Sequence, residues 1–213
     1  MVNVQCFTFN PLSENTYVVS DAAGRAAIID CGALYAEECR ALENYIAEAH
    51  LTPKAHLLTH GHFDHAFGAA FVHERWGLLP RCHAADQPML ADLEGQMRAM
   101  FGHAFACTAP PVGEPFAEGD VVAVGDLRFE VLASPGHTPG GVCFYLEAER
   151  TLFSGDSLFA GSIGRTDFPG GNHWQLIRSL QHLLKTLPAD VTIYPGHGPA
   201  TTIARERQYN PYL

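Results

Sequence analysis

The chain has 213 residues, 47% hydrophobic and 17% charged, with a formal net charge of -10 at pH 7. That balance excludes disorder and coiled coil, and the length suits one domain of two similar halves, about 1–118 and 119–213. No apolar run reaches the roughly 20 residues of a membrane span, and the 13 Lys and Arg residues are too scattered to bind nucleic acid.

In chain order, Val2, Val4, Cys6 and Thr8 alternate as a strand does, and Ser13–Asn15 is predicted to turn the chain into Thr16–Val19. Asp21–Gly24 makes a second turn before Ala26–Asp30, which completes an antiparallel meander. From Ala36 the period changes, and Cys39, Leu42, Ile46 and Ala49 mark a helix. Ala55–Thr59 reads as a buried strand, and a second helix is expected from Asp64 to Trp76. Cys107–Glu118, with three prolines and a glycine, reads as a connector.

The second half repeats this order. Strands are predicted at Val121–Val124, Leu127–Ala133, Val142–Leu146 and Thr151–Phe153. The stripe Leu176, Ile177, Leu180, Leu183, Leu184 and Leu187 makes a helix, and Val191–Tyr194 is the last strand. Strands followed by a helix, twice over, predict two packed sheets with helices outside.

The chemistry concentrates in Thr59-His60-Gly61-His62-Phe63-Asp64-His65, which follows a strand and precedes a helix. In an extended stretch His60 and His62 point to one side, so a single loop can feed adjacent metals. Three further strand ends set a ligand-type residue beside glycine: Gly136-His137, Gly155-Asp156 and Gly196-His197. Alone, any one of these histidines reads as a hydrogen-bonded structural residue. Together, five histidines and two aspartates on four loops predict a site for two divalent metals. Imidazole and carboxylate suit zinc first, and also iron or manganese. The other seven histidines read as structural or exposed. The six cysteines form no C-x-x-C pair, and Cys31, Cys82 and Cys143 read as core. The N-terminus has no basic region leading an apolar stretch, so the cytoplasm is the expected compartment. The sequence leaves the oligomeric state open.

On the H-x-H-x-D-H run with His137, Asp156 and His197, the chain resembles the metallo-β-lactamase superfamily over nearly its full length. Phe159–Gly171, with Gly164-Arg165-Thr166-Asp167-Phe168, makes it most similar to short glyoxalase II-like (hydroxyacylglutathione hydrolase-like) proteins. The resemblance implies an αββα sandwich with the metals at one edge. It implies that His60, His62 and His137 hold the first metal and Asp64, His65 and His197 the second, with Asp156 bridging. It further implies hydrolysis of a small-molecule thioester by a metal-activated hydroxide that Asp64 helps to orient. Arg165 is expected to bind an anionic part of the substrate. The sequence stops 16 residues after His197, too soon for the glutathione-binding helical domain of longer relatives, and Pro199 stands where they carry a tyrosine. A broader substrate range is therefore expected. The alternatives are a mononuclear-iron persulfide dioxygenase using His60, His137 and Asp156, a lactonase, and, last, a non-enzymatic metal-binding module.

Overall fold

A computed structural model describes residues 2–104 and 106–213. The opening meander forms β1 (Asn3–Phe9), β2 (Glu14–Ser20) and β3 (Arg25–Ile29), each antiparallel to the last. The chain crosses through α1 (Ala36–Glu48) to β4 (Thr52–Leu57), which lies parallel to β3. After α2 (Ala69–Trp76), β5 (Pro80–Arg81) adds a further parallel strand, giving the order β1-β2-β3-β4-β5. Two helices follow, α3 (Gln87–Leu90) and α4 (Leu93–Phe101).

The second half repeats the plan. A second antiparallel meander comprises β6 (Val121–Val124), β7 (Leu127–Ala133), β8 (Val142–Leu146) and β9 (Thr151–Gly155). A small hairpin, β10 (Leu158–Phe159) and β11 (Ser162–Ile163), precedes α5 (His173–Thr186). That helix crosses to β12 (Thr192–Pro195), parallel to β9, and β13 (Thr201–Thr202) and α6 (Ile203–Tyr209) follow. Because β7, β8 and β9 alternate in direction and β12 parallels β9, the C-terminal ends of β7, β9 and β12 share one edge.

The layering follows from the period of two. In β2 and β3, Tyr17, Val19, Ala27 and Ile29 face inward, while Val18, Ala26 and Ile28 face the α1–α2 layer. The inward set meets Phe129, Val131, Phe144 and Phe153 of the second sheet in one shared cluster. The outer face of the second sheet is covered by Leu176, Leu180, Leu183 and Leu184 of α5 and Ile203 of α6. Each such leucine contributes about 1.5–3 kcal/mol on full burial, so α5 is held chiefly by this stripe. The result is the αββα sandwich of two mixed sheets with helices outside.

Three expectations shift. The first turn lies at Asn10–Ser13, with Asn10 and Ser13 at positive φ, so Glu14 and Asn15 already belong to β2. The strand expected over Ala55–Thr59 is set earlier, at Thr52–Leu57, where Arg25–Ile29 supplies its partners. The helix expected from Asp64 to Trp76 splits into one 3-10 turn, Phe63–His65, and α2. The cause is competition for carbonyls: the His65 carbonyl accepts from the Cys31 N–H at 2.8 Å and the Asp64 carbonyl from Asn10 Nδ2 at 3.0 Å, so neither feeds a helical ladder. No helix among the described residues is long and apolar enough to cross a membrane.

Candidate metal centre

The donors arrive on strand ends. The loop after β4 carries His60 and His62, and the 3-10 turn carries Asp64 and His65. The loops after β7, β9 and β12 carry His137, Asp156 and His197. All seven expected residues meet there. Donor atoms of His60, His62 and His137 lie within 4.8 Å of one another, as do those of Asp64, His65 and His197. Asp156 stands between the triads, with Oδ2 at 3.6 Å from both His137 Nε2 and His197 Nε2, and Oδ1 at 3.3 Å from His65 Nε2.

Close approach explains two of the glycines. A Cβ at Gly196 would sit 2.3 Å from Asp156 Oδ1 and 2.6 Å from His65 Cε1. Gly136 has φ +136°, and a Cβ there would meet the backbone of Leu176 at 2.3 Å.

Each ring is oriented from behind. The Thr59 hydroxyl gives its hydrogen to Asp30 Oδ2 at 2.8 Å, so His60 Nδ1 donates to Thr59 Oγ1 at 3.0 Å and keeps its Nε2 lone pair. His137 Nδ1 donates to the Arg165 carbonyl at 2.7 Å, and His197 Nδ1 to the Leu12 and Ser13 carbonyls at 3.1 Å. His65 Nδ1 donates to Asp30 Oδ2 at 2.9 Å. Four imidazoles thus direct Nε2 inward, the arrangement that fixes a metal-binding tautomer. His62 instead turns Nδ1 to the centre, 2.9 Å from His137 Nε2.

The electrostatics fit a cation. His60 Nε2, His65 Nε2 and Asp156 Oδ1 are buried without a hydrogen-bond partner, a costly arrangement unless an ion completes it. Burial holds His62 down to about 3, and burial with the neighbouring rings pushes His60 well below its ordinary value, so both stay neutral as ligands must. Burial resists charge on Asp156, but His65, His197 and His137 outweigh it and hold the carboxyl well below its usual range. Burial also resists charge on His65, yet Asp156, Asp30 and Asp64 raise it well above its usual range. The carboxylates draw onto that ring the positive charge a metal would supply.

Supporting residues that sequence reasoning missed hold the loops. Asp86 is fully buried; Oδ2 accepts from the Gly61 N–H at 3.0 Å and the Thr138 hydroxyl at 2.6 Å, and Oδ1 from the Gly140 N–H at 2.6 Å. It therefore ties the His60–His62 loop to the His137 loop. Asn15 and Tyr17 of β2 bind the Pro195 carbonyl at 3.1 and 2.7 Å, anchoring the His197 loop to the first sheet. Asp30 and Thr59 had one available signal, a polar residue ending an apolar strand at the site's edge. Asp86 had none. Arg165 is exposed and forks onto Asp167 at 2.8 and 2.7 Å, with its guanidinium 3.7 Å above the Phe168 ring. Its side chain is thus engaged within its own loop, beside the centre.

The model of the metallo-beta-lactamase superfamily matches residues 9–197. The chain belongs to this superfamily. Within it, hydroxyacylglutathione hydrolase GloC of Haemophilus influenzae is 35% identical over 213 residues, covering 100% of this chain and 98% of that protein. The crystal structure of the BLEG-1 B3 metallo-beta-lactamase matches with a TM-score of 0.90 at 33% identity, covering 100% of this chain and 99% of that one. TTHA1623, solved in a di-iron-bound form, matches with a TM-score of 0.86 at 39% identity, covering 99% and 100%. This superfamily member is of the metallo-hydrolase type, and its His and Asp clusters suit divalent metal ions.

Proposed function

We propose that the chain is a dinuclear thioester hydrolase acting on hydroxyacyl thioesters. The observation that carries this reading is the pair of donor triads with Asp156 between them, seven donors where a closed structural cage uses four. The 35% identity to GloC along the whole chain supports the choice of substrate class. His60, His62 and His137 would hold one metal, and Asp64, His65 and His197 the other; zinc is proposed, with iron as the alternative that TTHA1623 illustrates. When bound, the two cations supply a hydroxide at neutral pH and polarise the carbonyl under attack.

The protein's own residues do the rest. Asp64, with Oδ2 at 3.4 Å from His197 Nε2, orients the attacking oxygen. In such a hydrolysis a water-derived oxygen would bond to the carbonyl carbon and the C–S bond would break with its electron pair going to sulfur, giving a carboxylate and a thiolate with the two protons passing to solvent. A thiolate of parent pKa ~8.5 needs no dedicated acid. Asp30 and Thr59 keep the rings aligned throughout.

The test is a panel run on metal-replete protein with metal content measured: a hydroxyacyl-glutathione thioester, the same acyl group on a small thiol, a lactone, a β-lactam, and a persulfide with oxygen uptake. Thioester turnover with about two metals per chain is expected. Faster β-lactam or lactone opening would reassign the substrate, and oxygen uptake with one iron per chain would replace hydrolysis by persulfide oxidation.

A further inference from the structure

A cavity of about 400 Å3 opens directly beside His62, on the side of the site built by α3, α4 and the Phe168 loop. Its size falls within the usual range for small-ligand sites. Its walls are carbon: Phe63, Met89, Ala99, Met100, Phe168 and Pro169. The Phe168 ring stands edge-on to His62, with centroids 5.8 Å apart, so the cavity and the donor cluster share a wall.

Besides His62, two polar side chains line it, and each is tied to neighbouring backbone. Gln96 Nε2 donates to the Gly61 carbonyl at 3.1 Å and the Met89 carbonyl at 2.7 Å, latching α4 onto the His60–His62 loop. Asp92 Oδ1 accepts from the Gly95 N–H at 3.0 Å and caps α4. Among the described lining residues none is Lys or Arg, and Asp92 adds a negative charge at the rim. The nearby guanidinium of Arg165 is forked onto Asp167 and covers Phe168. A carboxylate, such as either of those on glutathione, finds no Lys or Arg in this lining, whereas a hydrocarbon group gains by leaving water.

We infer that this cavity is a specificity pocket for an uncharged hydrocarbon substituent of the substrate, so that thioesters with medium-length alkyl or aromatic groups are preferred over short or charged ones. The inference rests on the thioester reading for the bond cleaved, but the pocket itself does not depend on it. Two flexible methionines in the wall suit substituents of varied shape.

Two substrate series separate the source of the substituent. In one, acyl groups from acetyl to octanoyl are carried on N-acetylcysteamine; in the other, acetyl is carried on alkane thiols of the same lengths. kcat/KM should rise about fourfold per methylene in one series until the pocket is filled, as burial of a CH2 group predicts. Binding of the matching carboxylic acids and alkane thiols to the metal-loaded protein, measured by calorimetry, should show the same dependence without turnover. Ala99→Phe, which pushes a ring into the cavity, should flatten it, with metal content as the check on folding. Hydrolysis with flat kcat/KM and flat affinities in both series would overturn the pocket and leave the thioester reading standing. Length-dependent binding without hydrolysis of any thioester would uphold the pocket and overturn that reading.

Discussion

Asp86 offers the sharpest test of how the centre is held. Its carboxylate takes three hydrogen bonds, from Gly61, Thr138 and Gly140, and is wholly shielded from solvent. Asp86→Ala removes the acceptor and leaves those three donors in place. An unpaired buried donor costs about 1–3 kcal/mol, so about 3 kcal/mol is the floor and about 9 the ceiling. Water entering the vacated space favours the lower end. Asp86→Asn keeps one acceptor oxygen but sets an amide NH2 against at least one donor, and should cost less. Because the carboxylate joins the loop of His60 and His62 to that of His137, both variants should loosen the first triad, and affinity for its metal should fall about 10–100-fold. Urea unfolding of metal-free protein gives the stability change, and competition against a zinc chelator gives the affinity. An Asp86→Asn protein that folds and binds zinc within about twofold of the parent would refute the clamp.

Asp156→Ala should lower metal content and hydrolysis more than any single histidine variant, since Asp156 lies 3.6 Å from a histidine nitrogen of each triad; near-parental activity would remove its bridging role. Arg165→Met should leave both metal content and KM for anionic thioesters close to the parent, because the guanidinium is forked onto Asp167 and His137 is oriented by the Arg165 backbone carbonyl; a large rise in KM with metal retained would show that the fork opens to bind substrate. Gly196→Ala should displace Asp156 and reduce bound metal, which elemental analysis will show. His56 is buried with neither ring nitrogen bonded, and burial lowers it to about 3. The unfolded chain then binds a proton below about 6.5 that the folded chain refuses, so this contribution to stability is full above about pH 6.5 and is lost as pH falls toward 3, by roughly 1.4 kcal/mol per unit. His56→Leu should flatten that slope in denaturation curves at pH 7 and 5; an unchanged slope would assign it to other groups.

The legible parts of the molecule are those with period and repetition. The continuous β-branched and apolar runs Thr16–Val19 and Ala26–Ile29, and the leucine stripe of α5, are local signals of burial, and the sheets and crossovers followed from them. The donor set was legible because glycine beside a ligand-type residue recurs at strand ends. What escaped was either short or held from afar. In α4 only Leu93 and Met97 are buried and Gly95 interrupts it, so no stripe stands out, and the cavity it walls went unseen. The helix expected at Asp64 gave way because Cys31 and Asn10, more than 30 residues away, take its carbonyls. Asp86 is a lone acid whose partners lie 25 to 54 residues off, a distance that no local pattern encodes.

Two kinds of support hold the rings, and they differ in what mutation can reach. His60 and His65 rest on the side chains of Thr59 and Asp30, which admit few replacements. His137 and His197 rest on the main-chain carbonyls of Arg165, Leu12 and Ser13, which nearly any residue supplies. Side-chain changes at Arg165 therefore leave the His137 acceptor in place, while at the His197 loop Ser13, at positive φ, and Leu12, packed on the core, are more restricted. Such a scaffold can drift toward new substrates by altering its rim, one residue at a time, without passing through forms that have lost the metals.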